Sequence, residues 1–524
     1  MASNYSPAVV PTESDFSDYA VRSSTTILAV VGYATKGPVD TPTLINSEEE
    51  LISNFGLPQV YTDSNQISYS ANIITDAIQF LREGNQLYVV RVVGASAAKG
   101  VGNVEVSDVN WLTFTAVSEG TWANAYNLVT SAATNGDANY FDLSITNAAG
   151  TVIEIYQNLA GPDALAADPT NGPEARINGI SALFTVVEDN TGVTTGAVDP
   201  ESQSVAGGAD ALPGQGNYTN GINLMRDQER YDVNMIAVPQ AANPVAGKTF
   251  DAVSDARTVY KAIMNAAIQM CEKRGDCMVI MDPLVSDVLG PNVTPSSAKN
   301  ALITGTNYDF DSSQAALYGP WLQVYDGYSR KNVWVGPSCV MAGQYSYNDR
   351  VAQAWFAPAG LNRGKLRLAS DVSVVFDRDD LEALQAPRMI TNPIRPIINE
   401  GITVWGQRTA QRKNTALNRV NARRMLNSAK STIARATRVL LFEPNDSFTW
   451  GRFINLVTPV MQFIKDTRGV YDFRVICDES TNPASQIDQN IMKGKILLKP
   501  TKTAETIYVD FSILNTGANF DEFV

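Results

Sequence analysis

The chain has 524 residues, 44% of them apolar, which is enough for several hydrophobic cores. Its net charge of −14 argues against general nucleic-acid binding. It contains no histidine, which excludes Ser-His-Asp and Cys-His catalysis, H-E-x-x-H metalloproteases and imidazole proton relays.

No stretch approaches the roughly 20 apolar residues that span a bilayer. The opening Met1-Ala2-Ser3-Asn4-Tyr5 has neither the basic nor the apolar region of a secretory signal, so a soluble protein made and kept in a cytoplasm is expected. Cys271, Cys277, Cys339 and Cys477 form no C-x-x-C pair and lie in apolar surroundings, which predicts buried free thiols and not a zinc site. Charge is unevenly spread. Residues 101–200 hold 12 acidic side chains and one basic one, Arg176, whereas residues 401–450 hold nine basic and two acidic ones. Two surfaces facing different surroundings are implied.

Residues 1–22 lack helical periodicity and read as an extended arm. From Thr26 to Tyr33 the chain predicts a buried strand, and Gly37-Pro38 a turn. Ser47 and Glu50 form a capping-box signature for a helix that carries Leu51, Ile52 and Phe55 and stops at Gly56. Ser70 to Glu83 predicts a second helix, followed by a strand over Leu87–Val93. Residues 101–204 turn to short alternating runs, such as Trp111–Thr115, Tyr140–Ile145 and Thr151–Tyr156, which predict an inserted β domain. The α/β pattern then resumes with a strand over Asp232–Pro239, a helix over Asp251–Arg274 and a strand at Met278–Pro283. Asn332–Val335 and Asp371–Phe376 predict further strands. Strand-helix-strand order favours a largely parallel, helix-covered sheet.

Beyond Asn392-Pro393-Ile394-Arg395-Pro396 a last unit begins. It predicts helices from Asn414 to about Leu441 and from Thr449 to about Arg468, then strands at Asp472–Asp478, Lys493–Lys499 and Glu505–Leu514. The last strand has the cleanest alternation in the chain, with Ile507, Val509, Phe511 and Ile513 on one face. The resulting fold class is multidomain α/β: a mixed-sheet core (23–100 and 205–395), an inserted β domain (101–204), an α+β C-terminal domain (396–503), and arms at 1–22 and 504–524.

Motifs that carry chemistry are scarce. There is neither a phosphate-binding G-x-x-x-x-G-K-S/T nor a helix-opening G-x-G-x-x-G. Asp309-Phe310-Asp311-Ser312-Ser313 starts like a calcium loop, but Gln314 stands where glycine is needed. Asp377, Asp379, Asp380 and Glu382 read as a solvated acidic turn.

Two regions resemble the tail sheath family of contractile phages and related injection systems. One is Val31-Gly32-Tyr33-Ala34-Thr35-Lys36-Gly37-Pro38, followed by the helix ending in Phe55-Gly56. The other comprises Val404-Trp405-Gly406 with Arg408-Thr409, then Phe442-Glu443-Pro444-Asn445-Asp446 and Thr449-Trp450. It continues through Arg468-Gly469-Val470-Tyr471-Asp472-Phe473, Cys477-Asp478, Thr481-Asn482 and Lys499-Pro500-Thr501. The resemblance implies a structural subunit without catalytic residues, cofactor or metal. Its implied partners are itself, in hexameric rings stacked into a helical sheath, an inner tail tube protein, and baseplate and tail terminator or neck proteins. Nucleic acid and membrane insertion are not implied. The implied place is the virion tail, assembled in the bacterial host cytoplasm.

The resemblance further implies terminal strands donated between subunits: Phe16, Tyr19 and Val21 from the N-terminal arm, and Glu505, Ile507, Val509, Phe511 and Ile513 from the C-terminal one. A basic helix carrying Arg412, Lys413, Arg419, Arg423 and Arg424 is expected to face an acidic inner tube. The competing readings are a carboxylate-dependent α/β hydrolase and the sheath of a non-phage injection machine.

Overall fold

The computed structural model describes residues 26–189, 192–243, 253–304 and 306–505. The N-terminal arm residues Phe16, Tyr19 and Val21, and Ile507, Val509, Phe511 and Ile513 of the last strand, lie outside them.

Ile27–Gly32, buried at all six positions, lies inside an eight-stranded sheet. It pairs in parallel with Gln86–Arg91 on one side and Met235–Ala237 on the other. Met278–Met281, Ala315–Gly319 and Thr391–Ile397 continue the parallel order. Antiparallel strands finish both edges: Thr43–Ile45 beside Gln86–Arg91, and Gly401–Val404 beside Thr391–Ile397. The division expected between residues 395 and 396 therefore falls inside a hairpin of this sheet.

A sheet covered on both faces needs apolar residues at successive positions, which explains the continuous Ile-Leu-Ala-Val-Val run. Val31, Ile236 and Val279 face the helices Gln215–Leu224 and Val253–Arg274 through Tyr218, Ile222, Tyr260 and Ile263. Leu28, Val30, Met235 and Ile280 face the helices Ile73–Leu81 and Pro337–Val351 through Ile74, Ile78 and Tyr345. Each fully buried aliphatic side chain of this kind stabilises the fold by roughly 1.5–3 kcal/mol. A smaller five-stranded sheet, which includes Lys331–Val335 and Ala369–Val372, takes up two of the strands predicted for the core.

Local signals behave as their chemistry dictates. Ser47 Oγ accepts the Glu50 N–H at 3.1 Å, capping Glu48–Phe55, and Glu50 returns to the Asn46 N–H at 2.9 Å. The helix expected over Ser70–Glu83 is shorter, Ile73–Leu81, because Asn72 takes the cap and Ser70 ends a strand. Asp377 caps Arg378–Leu384, and Lys299 pairs with Asp380 at 2.8 Å, so that acidic turn is a capped helix. All four cysteines are buried free thiols.

The insertion folds on its own core. Three strands (Val101–Val106, Val109–Ala116, Phe184–Glu188) and four more (Tyr126–Ala132, Tyr140–Asn147, Val152–Ala160, Ser202–Ser204) form two antiparallel sheets. They share Trp111, Phe114, Leu128, Phe141 and Phe184, with Trp111 edge-on to Phe141 at 5.9 Å. The two connections to the main sheet run side by side, joined by Ala98–Ala209 and Val101–Ala206 bridges.

The last unit is a helical hairpin, Val420–Thr437 and Ser447–Asp466, packed on the antiparallel pair Val470–Ile476 and Lys495–Pro500. Trp450, Phe453, Val457, Met461 and Ile464 line its core, together with Trp355 from the main body. The helix predicted from Asn414 begins only at Val420 and ends at Thr437. Thr415 caps a short turn at Ala416–Asn418, and Arg408 and Arg419 form a backbone bridge, which holds the intervening segment off the helical path. Among the described residues no helix is long and apolar enough to cross a membrane, and no metal-binding cluster is present.

Candidate assembly surfaces

The motif residues at the two ends of the chain act as architecture. Arg91, fully buried, donates to the carbonyls of Ala34, Gly37 and Glu119, each at 2.7 Å. It thereby fastens the Gly37 turn to the root of the insertion. Gly37 has φ +104°, and an added Cβ would lie 2.6 Å from the Phe55 ring, so the turn and the helix end require glycine. In the sequence Arg91 looked like one more strand residue.

The C-terminal motifs work the same way. Asp446 caps the second hairpin helix through the Thr449 N–H at 2.9 Å. Asn445 accepts the Trp450 indole N–H at 2.8 Å and donates to the Ile491 carbonyl at 3.0 Å. Asn482 bridges the Asp478 and Lys493 carbonyls at 3.2 Å each and accepts the Lys493 N–H, closing the loop between the last two described strands. Asn392 grips the Arg408 backbone from both sides, donating to its carbonyl at 2.7 Å and accepting its N–H.

The expected basic helix needs correction. Arg423 and Arg424 are on the helix but point inward, at 7% and 6% exposure. Arg424 makes a two-pronged pair with Asp349 at 2.9 and 2.7 Å and stacks on Tyr345. Arg423 donates to Gln314 at 2.8 Å, and burial lowers its pKa from the usual guanidinium value. Both hold the helix on the main body, with their charge turned inward. Arg412 and Lys413 precede the helix altogether. Arg412 pairs with Asp309 at 2.9 Å and donates its backbone N–H to Asp311, so a cationic side chain occupies the calcium-like loop. Arg419 is the residue before the helix, and its guanidinium clasps Glu505 at 2.6 and 2.7 Å. Gln407 adds donors to Thr503 at 2.7 Å and Glu505 at 3.3 Å. Structure thus joins two residues that were expected on separate surfaces, at the point where the chain leaves for residues 506–524.

Two features remain open. The strand pair Val470–Ile476 and Lys495–Pro500 has an unpaired outer edge on each strand among the described residues, with Tyr471 and Leu497 exposed on it. At the hairpin corner Val439, Leu441, Phe442 and Phe448 are all exposed, and Phe442 is fully so at φ 69°. An apolar cluster of this kind marks a contact surface.

Two buried carboxylates lie in the core. Burial raises the Asp282 pKa to about 7, although the Ser338 hydroxyl and backbone N–H oppose it at 2.6 and 2.5 Å. Burial raises Asp76 to about 8 against the Ser70 hydroxyl at 2.9 Å, and the charge of Asp282 adds to the rise. Both are taken up by serine hydroxyls. Asp282 sits so close to the start of Pro337–Val351 that a Cβ on Gly336 would strike its carboxylate at 2.6 Å.

Comparison with known proteins agrees with this architecture. Residues 412–513 match the family described as phage tail sheath C-terminal domain. The tail sheath protein of Vibrio phage KVP40 is 30% identical over 373 residues, covering 68% of this chain and 54% of that protein. The chain spans about half the length of the curated relatives it matches. Among solved structures, the sheath tail protein from Listeria innocua superposes with TM-score 0.60 at 12% identity, over 92% of this chain and 97% of that one. The contracted helical sheath of the anti-feeding prophage does so with TM-score 0.53 at 16% identity, over 98% and 99%. Residues 412–513 thus carry the phage tail sheath C-terminal domain, and the chain is similar to phage tail sheath proteins along 68% of its length.

Proposed function

We propose that this protein is the subunit of a contractile tail sheath, polymerising helically around an inner tube through donated terminal strands. The observation that carries this reading is the two-stranded sheet with both outer edges open among the described residues, beside a chain that leaves at Glu505 into an alternating segment. A strand added to such an edge forms about five backbone hydrogen bonds, each worth ~0.5–1.5 kcal/mol net, and buries Val509 and Phe511 besides. Giving and receiving occur at different surfaces. Such heterologous contacts build helices instead of closed pairs. The N-terminal arm, with Phe16, Tyr19 and Val21, adds a second donated strand. Contraction releases a strained extended state on a trigger from the baseplate and needs no nucleotide. The role is structural, without catalysis, in a virion tail assembled in the host cytoplasm.

The tube contact is assigned to the exposed corner at Phe442 and Phe448, with Arg438 and Arg452 around it. Arg412 and Arg419 are assigned away from the tube, because Asp309 and Glu505 of the same chain already engage them. Val509→Pro with Phe511→Pro removes two strand donors outside the described body. The reading requires loss of tubular assemblies in electron micrographs with an unchanged melting transition. Normal tubes from that variant contradict it.

A further inference from the structure

A cavity of about 490 Å³ lies beside the Pro295–Ile303 helix, where three segments meet. This volume lies within the range of clefts that bury small ligands, and it has room for an aromatic side chain. Its floor is apolar: Leu302, Tyr308 and Ile390 are each 5% exposed or less. Ile303 and Met389 form half-buried walls. Arg388, Arg412 and Lys413 stand at the rim. Asp309 neutralises Arg412, whereas among the described residues neither Arg388 nor Lys413 has an ion-pair partner. An apolar floor under two uncompensated cations selects a ligand with aromatic anchors and adjacent carboxylates.

The chain carries such a segment. After the alternating stretch, residues 515–524 read Asn-Thr-Gly-Ala-Asn-Phe-Asp-Glu-Phe-Val, with two acidic residues between two phenylalanines and no basic residue. The family match ends at residue 513, so this segment lies beyond it. Phe520 and Phe523 lie three residues apart, with Asp521 and Glu522 between them. From Glu505 the chain reaches roughly 50 Å by Phe520 at ~3.3–3.6 Å per residue.

We propose that this cavity receives the Phe520–Phe523 segment of a neighbouring copy. Phe520 or Phe523 fills the Leu302–Tyr308–Ile390 floor, and Asp521 and Glu522 meet Arg388 and Lys413. The choice of a neighbour rests on the donated-strand reading, in which residues 507–513 already pair on another subunit. The latch then fixes the end of the arm that the strand begins.

The test uses the full-length chain with benzoylphenylalanine in place of Phe523, assembled from equal parts of ¹⁵N-labelled and unlabelled copies. Irradiation and mass spectrometry should give mixed-isotope cross-links to peptides spanning 302–308 or 388–390. Arg388→Glu with Lys413→Glu should cut their yield about tenfold, the equivalent of ~1.4 kcal/mol. Adding Asp521→Lys and Glu522→Lys should restore it. Cross-links confined to 470–476 and 495–500 would overturn the latch while leaving strand donation standing. Cross-links only within one copy, or a yield indifferent to charge reversal, would overturn it as well.

Discussion

The inserted β domain and the C-terminal unit differ in charge and in where their cores are built. The insertion packs two sheets on its own Trp111 and Phe141, and its residues are strongly acidic. Among the described residues the C-terminal unit leaves both outer edges of its strand pair unpaired, and it shares its core with Trp355 of the main body. On the proposed function, a module with its own core decorates, whereas one docked on the main body joins. Assembly is then expected at the C-terminal unit, and the insertion is expected to be dispensable to it.

The largest effects should separate the two regions directly. Asp349→Ala removes the carboxylate partner of the buried Arg424 guanidinium and should cost ~3–5 kcal/mol. Trp111→Ala empties the core of the insertion and should cost a similar ~3–5 kcal/mol. Limited proteolysis and micrographs are expected to show loss of sheath assembly in the first and retention in the second. Equal loss of assembly in both would erase the contrast.

Acid and base should also act on different parts. Asp282 and Asp76 titrate in the native state at about 7 and about 8, above the unfolded value of ~4. The native core therefore holds more protons across that window, and its stability falls as pH rises from ~4 toward 8. Asp282→Asn should flatten that slope in denaturant titrations at several pH values. Asp142 in the insertion runs the other way. Burial opposes its ionisation, but hydrogen bonds from Thr134 and the Asn158 N–H outweigh this and hold its carboxyl below the usual range. Its contribution is present above ~4 and is lost as pH falls through the depressed value.

Smaller effects sharpen the picture at the exit of the arm. Asp446→Ala removes a helix cap and should cost ~1 kcal/mol of C-terminal stability, read by thermal unfolding. Glu505→Ala breaks a half-exposed pair with Arg419 and should cost only ~0.2–1 kcal/mol, less in high salt.

Much of the scaffold was legible in the residues. Capping by Ser47 and Glu50, the doubly buried strand at Ile27–Gly32 and the β insertion follow from local chemistry and periodicity. What was not legible depends on distant partners. Charge spacing on Val420–Thr437 cannot reveal that Asp349, some 75 residues away, draws Arg424 inward. Nor can it show that Arg419 spends its charge on Glu505, 86 residues on. The structural duties of Arg91 and Asn392 were hidden because their partners are backbone carbonyls and amides, which have no sequence signature. The arms to which assembly is assigned lie outside the described residues, and their alternation is read from the sequence.

Deleting residues 504–524 tests the central claim most directly. Sedimentation and negative-stain microscopy should find folded particles that no longer form tubes, with far-ultraviolet dichroism unchanged apart from the lost segment. Helical sheaths assembled from that truncated chain would contradict the account.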